Sequence, residues 1–392
     1  MSKKRSIEGE VIGKTSALKT NKKKTSNSVF MTYRGCANFR QRLVFSTLSG
    51  RPIKIRDIRA EDDDQPGLKS FEASFLRLLE KLTNGCKIEI NETGTFLSYR
   101  PGFIRGGRVE HDCGSERAIG WFLEGILPLA PFCKDPFNIT FTGITNDHVD
   151  TSVDVLKNVT LPMLKHFGIE GNLNIQIQRR GAPPSGGGRV AFRCPRLREL
   201  RPCAHADPGR VKRVRGVAYS AKVSPQTANR CVAAARALLN RLLPDVYVYT
   251  DHYKGKEAGA APGFALALVA ETTTGALLSA EVCAEKGALP EDLGAQGSRL
   301  LLEEVKHGGC VDRAHQPLWL ALMALGPEDV SRARLGATLT PAAVQTLRLL
   351  RDFFGVVFKI KPAGGRGDDP AAGGLLLSCL GAGFKNINRR VS

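Results

Sequence analysis

The sequence predicts an α/β (α+β) fold in which helices pack on one side of several sheets. Segments with helical spacing of apolar residues alternate with short strand-like segments along most of the chain. This alternation recurs in blocks that end in hairpins, which indicates internal duplication. After residue 190 the composition changes, and an arginine-rich stretch leads into a compact module. With 392 residues, of which 42% are hydrophobic, the chain is long enough for about two domains with substantial cores.

Residues 1–34 are predicted to form a disordered basic arm. They contain the runs Lys3-Lys4-Arg5 and Lys22-Lys23-Lys24, few apolar residues and no periodicity. Such an arm is typical of a nuclear or nucleolar localisation signal or of a phosphate-binding tail. A solvated tail without a specific role is the alternative.

Residues 35–190 are predicted to form the first part of a large domain. Its first helix places Phe39 and Leu43 at helical spacing, and Gly50 closes it. The apolar pattern of the first block predicts helix 38–48, strand 52–58, helix 70–82 and strands 87–90 and 95–99. The pattern of the second block predicts helix 115–127, strand 137–142, helix 152–167 and strand 173–179.

A glycine-rich turn follows the last of these strands. The strand ends in Arg179 and Arg180, the chain breaks at two prolines, and Gly186-Gly187-Gly188 lead to Arg189 and a further apolar strand. Glycines leave backbone amides uncovered and neighbouring cations attract phosphate, which favours an anion-binding turn. Proline and glycine clusters are also ordinary in hinges, so a connection between domains is an equal alternative.

Residues 191–284 are predicted to form an inserted βαββ domain. The insert opens with an arginine-rich segment that includes Arg213 and Arg215, and Ser224-Pro225 is a good start for its helix. The pattern predicts strand 216–223, helix 225–243 and strands 246–250, 264–270 and 276–282.

Residues 285–392 show the same alternation of predicted helices and strands as residues 35–190, and they are predicted to complete the large domain. The apolar spacing predicts helices 291–307, 314–325 and 341–354 and strands 356–360 and 375–380. The loop over residues 362–374 is rich in glycine and aspartate and is predicted to be mobile.

The charge balance favours a polyanionic partner. Lys and Arg number 57 against 38 Asp and Glu, which gives a net charge of +19 and a pI near 9.7. Nucleic acid is the commonest partner of such a field in a soluble protein, and an anionic membrane surface is second. No apolar run reaches the ~18 residues of a membrane helix, so a soluble intracellular protein is expected. The ten cysteines form no paired motif, which favours reduced thiols, and no metal site or cofactor is predicted.

Several blocks together resemble one family. The turn from Gly181 to Gly188 resembles the characteristic glycine turn of RNA 3′-terminal phosphate cyclases, and the resemblance runs from about Gly35 to the C-terminus. It implies a large domain of repeated βαβαββ units interrupted by a smaller βαββ domain. Other blocks similar to this family are residues 94–102, 151–156 and 161–164, and Ser220 with the helix that follows it.

Within that family, the chain is most similar to the cyclase-like branch of nucleolar ribosome-assembly proteins. Residues 35–43 and 207–216 carry this likeness. The resemblance implies a non-catalytic part in early pre-rRNA processing and small-subunit assembly within the small-subunit processome. It also implies a nuclear, nucleolar location, pre-ribosomal RNA as a partner and association with a Bms-type ribosome-assembly GTPase.

The chemistry of a cyclase is missing from the sequence. A cyclase of this family adenylates a histidine near the start of its last helix, which requires a neutral, accessible imidazole. Here that segment contains Ala342, and of the family's acidic Asp-Gln block only Asp312 and Gln316 are comparable. His315 lies on a different helix and is disfavoured as a substitute. No catalytic residue is therefore predicted, and an active, ATP-using cyclase is the least favoured alternative.

RNA or anion binding is predicted for a set of arginines and glycines. Arg40 resembles a survivor of the family's glycine-rich opening, and the others come from the glycine turn and the basic segment. The predicted RNA-binding or anion-binding residues are Arg40, Arg179, Arg180, Gly186, Gly187, Gly188, Arg189, Arg213 and Arg215.

An endonuclease that cuts pre-rRNA in the spacer ahead of the small-subunit sequence is the main functional alternative. Such an enzyme needs an acid and a base or a carboxylate cluster for metal. Arg348, Arg351 and Asp352 are the nearest charged residues to the vanished site, and they are more typical of substrate contacts or of a helix surface. The acidic residues from Asp147 to Asp154 are more typical of a helix-capping turn than of a metal site.

Overall fold

The computed structural model describes residues 30–364 and 373–387. It confirms a mixed α/β fold built from repeated units and an insert. Most of the predicted basic arm, residues 1–29, and much of the glycine-rich loop predicted after residue 362 lie outside the described residues. Residues 31–34, which the prediction assigned to the arm, form the first strand.

The first unit is a βαβαββ block with one four-stranded sheet in the order β1-β2-β5-β4. β1 and β2 are parallel and the other neighbours are antiparallel. A small two-stranded sheet, β3 with β6, joins this unit to the next. The elements are β1 (Met31–Arg34), α1 (Phe39–Ser49), β2 (Ile53–Arg56), α2 (Ser70–Leu82), β3 (Thr83–Asn84), β4 (Lys87–Ile90), β5 (Leu97–Arg100) and β6 (Phe103–Ile104).

The second unit repeats the same strand order, β7-β8-β10-β9, and again its first two strands are parallel. Its elements are β7 (Gly106–Asp112), α3 (Ile119–Ile126), β8 (Asp135–Gly143), α4 (Val153–Val155), a π-helical turn (Leu156–Thr160), α5 (Leu161–Lys165), β9 (Asn174–Arg179) and β10 (Gly188–Cys194).

Two helices of the second unit differ from the prediction. The helix predicted from residue 115 begins at Ile119, because the Asp150 carboxylate accepts hydrogen bonds from the Arg117 side chain and from the backbone N–H of Ala118, 3.0 Å away. The helix predicted over 152–167 is continuous in direction but widens into a π turn. Pro162 follows that turn and has no N–H to donate to the preceding turn, which favours the wider hydrogen-bond spacing.

The third unit has the matching order β11-β16-β18-β17, and the insert lies between its first strand and its first helix. Its elements are β11 (Ala204–His205), α8 (Gln316–Ala324), β16 (Val330–Leu335), α9 (Pro341–Phe354), β17 (Lys359–Pro362) and β18 (Leu375–Leu380).

The insert has a sheet in the order β13-β12-β14-β15. Its βαββ elements are β12 (Val211–Ala221), α6 (Pro225–Leu239), β13 (Val246–Tyr253), β14 (Gly263–Thr272) and β15 (Leu277–Cys283), and α7 (Pro290–His307) follows them. α7 packs on α6, β14 and β15, and its Leu293 and Leu301 join the core of the insert. The predicted domain boundary at residue 284 therefore separates α7 from the core to which it contributes.

Two large hydrophobic cores support this arrangement, beside a small cluster around Tyr219. One runs through the three units and includes Phe75, Phe141 and Trp319. The other lies inside the insert and includes Cys231 and Leu268. All ten cysteines have free thiols. None of the helices in the described part of the chain combines the length and apolar character needed to cross a lipid bilayer.

Candidate functional site

The start of α9 is built by a helix cap and offers no nucleophile. Thr340 is the N-cap, and its Oγ1 accepts a hydrogen bond from the N–H of Ala343 at 3.1 Å. Pro341 occupies the first helical position, where a missing N–H costs nothing. Ala342 follows on the exposed side of the helix, and its side chain is only a methyl group.

Asp312 and His315 form a buried ion pair just before α8. Nδ1 of His315 lies 2.5 Å from a carboxylate oxygen of Asp312, and Nε2 lies 2.8 Å from Oγ1 of Thr160. The other Asp312 oxygen accepts hydrogen bonds from the N–H and hydroxyl of Ser279 in the insert. Every polar atom of this pair is thus engaged inside the fold.

The two members of the pair shift each other's pKa values in opposite directions. Burial disfavours the charged carboxylate of Asp312, but the attraction of His315 outweighs burial and holds the pKa below its ordinary value. Burial likewise opposes the imidazolium of His315, but Asp312 raises the pKa of His315 above its ordinary value. An imidazole that is buried, with both ring nitrogens engaged by Asp312 and Thr160, is not accessible as a nucleophile.

Gln316 connects the start of α8 to the start of α9. Its amide nitrogen donates to the carbonyl of Thr338 at 3.2 Å, and its side-chain oxygen accepts from the N–H of Thr340 at 2.9 Å. The side chain is fully buried. Gln316 therefore stabilises the junction of the two helices, and both of its polar ends are engaged within the chain.

Arg180 lies in the interior and is paired. Its guanidinium donates two hydrogen bonds to the carboxylate of Asp154, at 2.5 and 2.7 Å, and one to Asn146. It also lies over the rings of Tyr219 and Tyr253 of the insert, with 4.5 and 5.2 Å to the ring centroids. Only 1% of the side chain is exposed, so its position is that of a structural cation between the second unit and the insert.

The glycine turn is a packed joint. Gly186 and Gly188 are buried, while Gly187 is half-buried. A Cβ atom on Gly188 would lie 2.7 Å from the Thr145 side chain, and one on Gly259 of the insert would lie 2.2 Å from the Gly186 carbonyl. The absence of side chains at this turn lets two backbone segments approach closely. The geometry supports the connecting role that the sequence left open for this turn.

The remaining predicted arginines are in three different settings. Arg40 lies between α1 and α3, donates to the Trp121 carbonyl and pairs with Glu124 at 3.3 Å. Burial lowers its pKa, which Glu124 opposes. The adjacent cavity of about 40 Å³ has room for water but not for a nucleotide. Arg179 is half-buried at the end of β9.

Arg189, Arg213 and Arg215 are partly exposed and each has an acidic partner. Arg189 pairs with Glu110 at 3.1 Å and Arg213 with Glu271 at 2.6 Å. Arg215 donates two hydrogen bonds to the Asp245 carboxylate, at 2.8 and 2.9 Å. These arginines are accessible to a phosphate only in competition with the carboxylates that they already contact.

The acidic turn of residues 146–154 serves structural contacts. Asp147 accepts hydrogen bonds from the N–H groups of Val149 and Asp150, at 3.0 and 2.7 Å, in an Asx turn. Asp150 binds Arg117, and Asp154 binds Arg180. Among residues 30–364 and 373–387, no group of histidines, cysteines and carboxylates is arranged as a metal site.

The comparison with known proteins identifies the family. The family model for RNA 3′-terminal phosphate cyclase matches residues 31–360. The chain belongs to this family. It is 55% identical over 369 residues to the human RNA 3′-terminal phosphate cyclase-like protein, an alignment that covers 92% of this chain and 97% of the relative.

Two further relatives support the same branch. The chain is 47% identical over 375 residues to a probable RNA 3′-terminal phosphate cyclase-like protein of Dictyostelium discoideum, covering 92% of this chain and 99% of the relative. It is 45% identical over 362 residues to the rRNA processing protein rcl1 of Schizosaccharomyces pombe, covering 92% and 98%. The resemblance to the cyclase-like branch is confirmed.

The sequence predicted that Ala342, Asp312 and Gln316 lie near one another, but it did not predict the hydrogen-bond partners of this cluster. The structure brings Asp312 and Gln316 to the start of α8 and Ala342 to the start of α9, which Gln316 contacts. Thr160 and Ser279 complete the cluster and come from distant segments. No sequence pattern indicated these two residues, because a single threonine or serine in a long chain is not distinguished from the others by its neighbours.

Proposed function

We propose that the protein is a non-catalytic RNA-binding component of early pre-rRNA processing and small-subunit assembly. The observation that carries this proposal is the combination of Ala342 at the start of α9 with Asp312, His315 and Gln316 engaged inside the fold. A polar cluster in which each member is satisfied by the chain has no group left to activate a phosphate. The site is therefore a stable remnant and not a reaction centre.

The biological setting of the proposal follows from charge and from the relatives. The net charge of +19 favours RNA, whose phosphates bind cations with little dependence on base sequence. One relative is named for rRNA processing. We place the protein in the small-subunit processome in the nucleolus, with pre-ribosomal RNA and a Bms-type GTPase as partners.

An adenylation assay tests the non-cyclase part. We expect no covalent adenylate when the purified protein is incubated with labelled ATP, either in the native chain or in Ala342→His. The variant restores an imidazole at the expected position but leaves Asp312 and Gln316 engaged. An acid-labile adenylate on the native chain would refute the non-catalytic function.

RNA and partner binding test the rest. A labelled spacer RNA is titrated with the full chain at several salt concentrations, and we expect affinity to fall steeply as salt rises. Recovery of a Bms-type GTPase with the tagged protein from nucleolar extract is also expected. Cleavage of the spacer RNA that co-purifies with the protein and disappears in Asp352→Asn would instead favour the endonuclease.

A further inference from the structure

The open face of the second sheet carries a row of basic and amide side chains. Arg108 on β7 is in register with Asn138 on β8, Asn138 with Arg193 on β10, and Arg193 with Asn174 on β9. Residues directly opposite one another in adjacent strands point to the same face of a sheet. Their neighbours along the strands, such as Phe137 and Phe192, are buried in the core. The row therefore crosses all four strands on the face away from the core.

A groove lies at this end of the face. Its volume is about 590 Å³, and the polar residues that line it are Arg108, Asn138, Asn172, Arg193 and Arg196. This volume is in the range of ligand-binding clefts, although the groove is open to solvent. Arg196 is anchored, because its guanidinium donates to the backbone carbonyl of Lys134 at 2.8 Å.

The charge of the groove is unbalanced. No acidic residue lines it, and within residues 30–364 and 373–387 neither Arg108 nor Arg193 has a carboxylate partner. By contrast, Arg189 at the other end of the same face is paired with Glu110. Unpaired guanidiniums that converge on a groove attract an anion without first giving up an ion pair.

The groove is separate from the glycine turn. β8 runs from Asn138 at the groove to Gly143, which is in register with Gly188 of the glycine turn. Five residues of strand span roughly 16 Å at about 3.3 Å per residue. The groove and the glycine turn therefore lie at opposite ends of one sheet.

We propose that this groove binds the phosphodiester backbone of an RNA strand, as a surface apart from the glycine turn. This inference rests on the RNA-binding function proposed above. The planar guanidiniums of Arg108 and Arg193 match phosphate oxygens in a two-pronged contact. The asparagine amides between them both donate and accept hydrogen bonds, which suits ribose hydroxyls and base edges. Because the whole chain carries a net charge of +19, a polyanion with regularly spaced phosphates is favoured over an acidic protein segment, and RNA is the occupant that we propose.

The test compares two double variants of the full chain. Arg108→Gln/Arg193→Gln removes two charges from the groove. Arg236→Gln/Arg299→Gln removes two charges from the exposed sides of α6 and α7, away from this sheet. All four arginines are exposed, so both variants should keep the native circular dichroism spectrum and urea midpoint. The probe is a fluorescein-labelled single-stranded RNA of mixed sequence, and binding is followed by anisotropy across a range of salt concentrations.

The groove variant should bind RNA at least about tenfold more weakly in low salt, because two charge-assisted contacts are lost. The slope of log affinity against log salt should fall by about 1.4, since each phosphate contact on a single strand contributes about 0.7. The control should lose less affinity and keep the native slope. Ultraviolet crosslinks should map to peptides of β7, β8 and β10 in the native chain and disappear from them in the groove variant.

Three results would contradict the proposal, and they are distinguishable from one another. If the native chain does not bind RNA at any salt concentration, the proposed function fails and the groove assignment fails with it. If the native chain binds and the two double variants have the same affinity and slope, the groove assignment alone is overturned. If only the binding of a processome protein is weakened by the groove variant, the surface is a protein interface and not an RNA site.

Discussion

The buried pair of Arg180 and Asp154 gives the sharpest prediction about stability. Asp154→Asn keeps the volume of the side chain but removes the charge that compensates Arg180, whose side chain is only 1% exposed. Breaking a buried, hydrogen-bonded ion pair from one side costs about 3–5 kcal/mol of unfolding free energy. The nearest other carboxylate, Asp251, is 3.8 Å away and 45% exposed, so it compensates little. We expect Asp154→Asn to be destabilised by about that amount at neutral pH.

Urea unfolding, followed by circular dichroism and tryptophan fluorescence, measures this loss. In Asp154→Asn/Arg180→Met both charges are removed, and we expect the double variant to be no less stable than Asp154→Asn alone. Asp251→Asn is the matched control and should change stability by less than about 1 kcal/mol, because an exposed pair contributes little. A loss of under about 1 kcal/mol for Asp154→Asn would refute the reasoning.

Acidification adds an independent check on the same pair. Burial opposes the charged carboxylate of Asp154, but Arg180 outweighs burial and lowers the pKa in the folded state. A carboxyl with a lowered folded pKa contributes stability that is present above its unfolded pKa of about 3.9 and is lost as the pH falls through the folded value. The difference between the native chain and Asp154→Asn should therefore shrink only below about pH 4. A constant difference across the acid range would contradict the charge-based explanation.

The other predictions concern the degenerate site and the glycine turn. His315→Gln should be most destabilising at acidic pH, because Asp312 raises the folded pKa of His315. The stability that the ion pair contributes is present below the unfolded pKa of about 6.5 and is lost as the pH rises through the folded value. Urea midpoints from pH 5 to 9 measure this loss, and a destabilisation that does not depend on pH would contradict it. Thr340→Ala should cost about 1 kcal/mol through loss of the α9 cap, whereas Thr340→Ser should be nearly neutral in the same assay; equal losses would argue against the cap. Gly181→Ala should reduce thermal stability more than Gly187→Ala. A Cβ atom on Gly181 would lie 2.3 Å from the backbone nitrogen of Gly188, whereas a Cβ atom on Gly187 would meet no atom nearer than 3.5 Å. The reverse order of stabilities would show that the strain of positive φ at Gly187 outweighs the packing clash at Gly181.

Strongly periodic helices were predictable from the sequence almost to the residue. The predicted spans 70–82 and 341–354 coincide with α2 and α9, since each has a clear apolar face and a glycine or proline near its limits. In the third unit, the predicted strand 375–380 coincides with β18 and the predicted strand 356–360 overlaps β17, but β11 and β16 were not predicted. β11 is only two residues long, and β16 carries exposed polar side chains on one side, so neither forms a distinct apolar run.

The basic segment shows why the candidate residues were harder to predict than the fold. The prediction started this strand at residue 216, but β12 begins at Val211. The first residues were missed because alternating arginines on a half-exposed strand have the same sequence pattern as a polar loop. Arg180 was predicted to face an anion and Asp154 was considered separately, but the fold joins them. Opposite charges 26 residues apart give no sequence signal of pairing. The row of basic and amide side chains in the groove could not be predicted from the sequence either, because Arg108 and Arg193 come together only through the register of their strands with β8.

The position of the insert has a consequence for how the chain is made. β11 pairs with β16 through Ala204 and Arg332, which are 128 positions apart, and the whole insert is synthesised between them. At about 5–20 residues per second, roughly 6–26 s pass before the first strand of the third unit can find its partner. The insert has its own core, and all of the buried residues that form it, from Val214 to Leu301, are synthesised before Arg332. We therefore expect the insert to fold on the ribosome before the third unit closes.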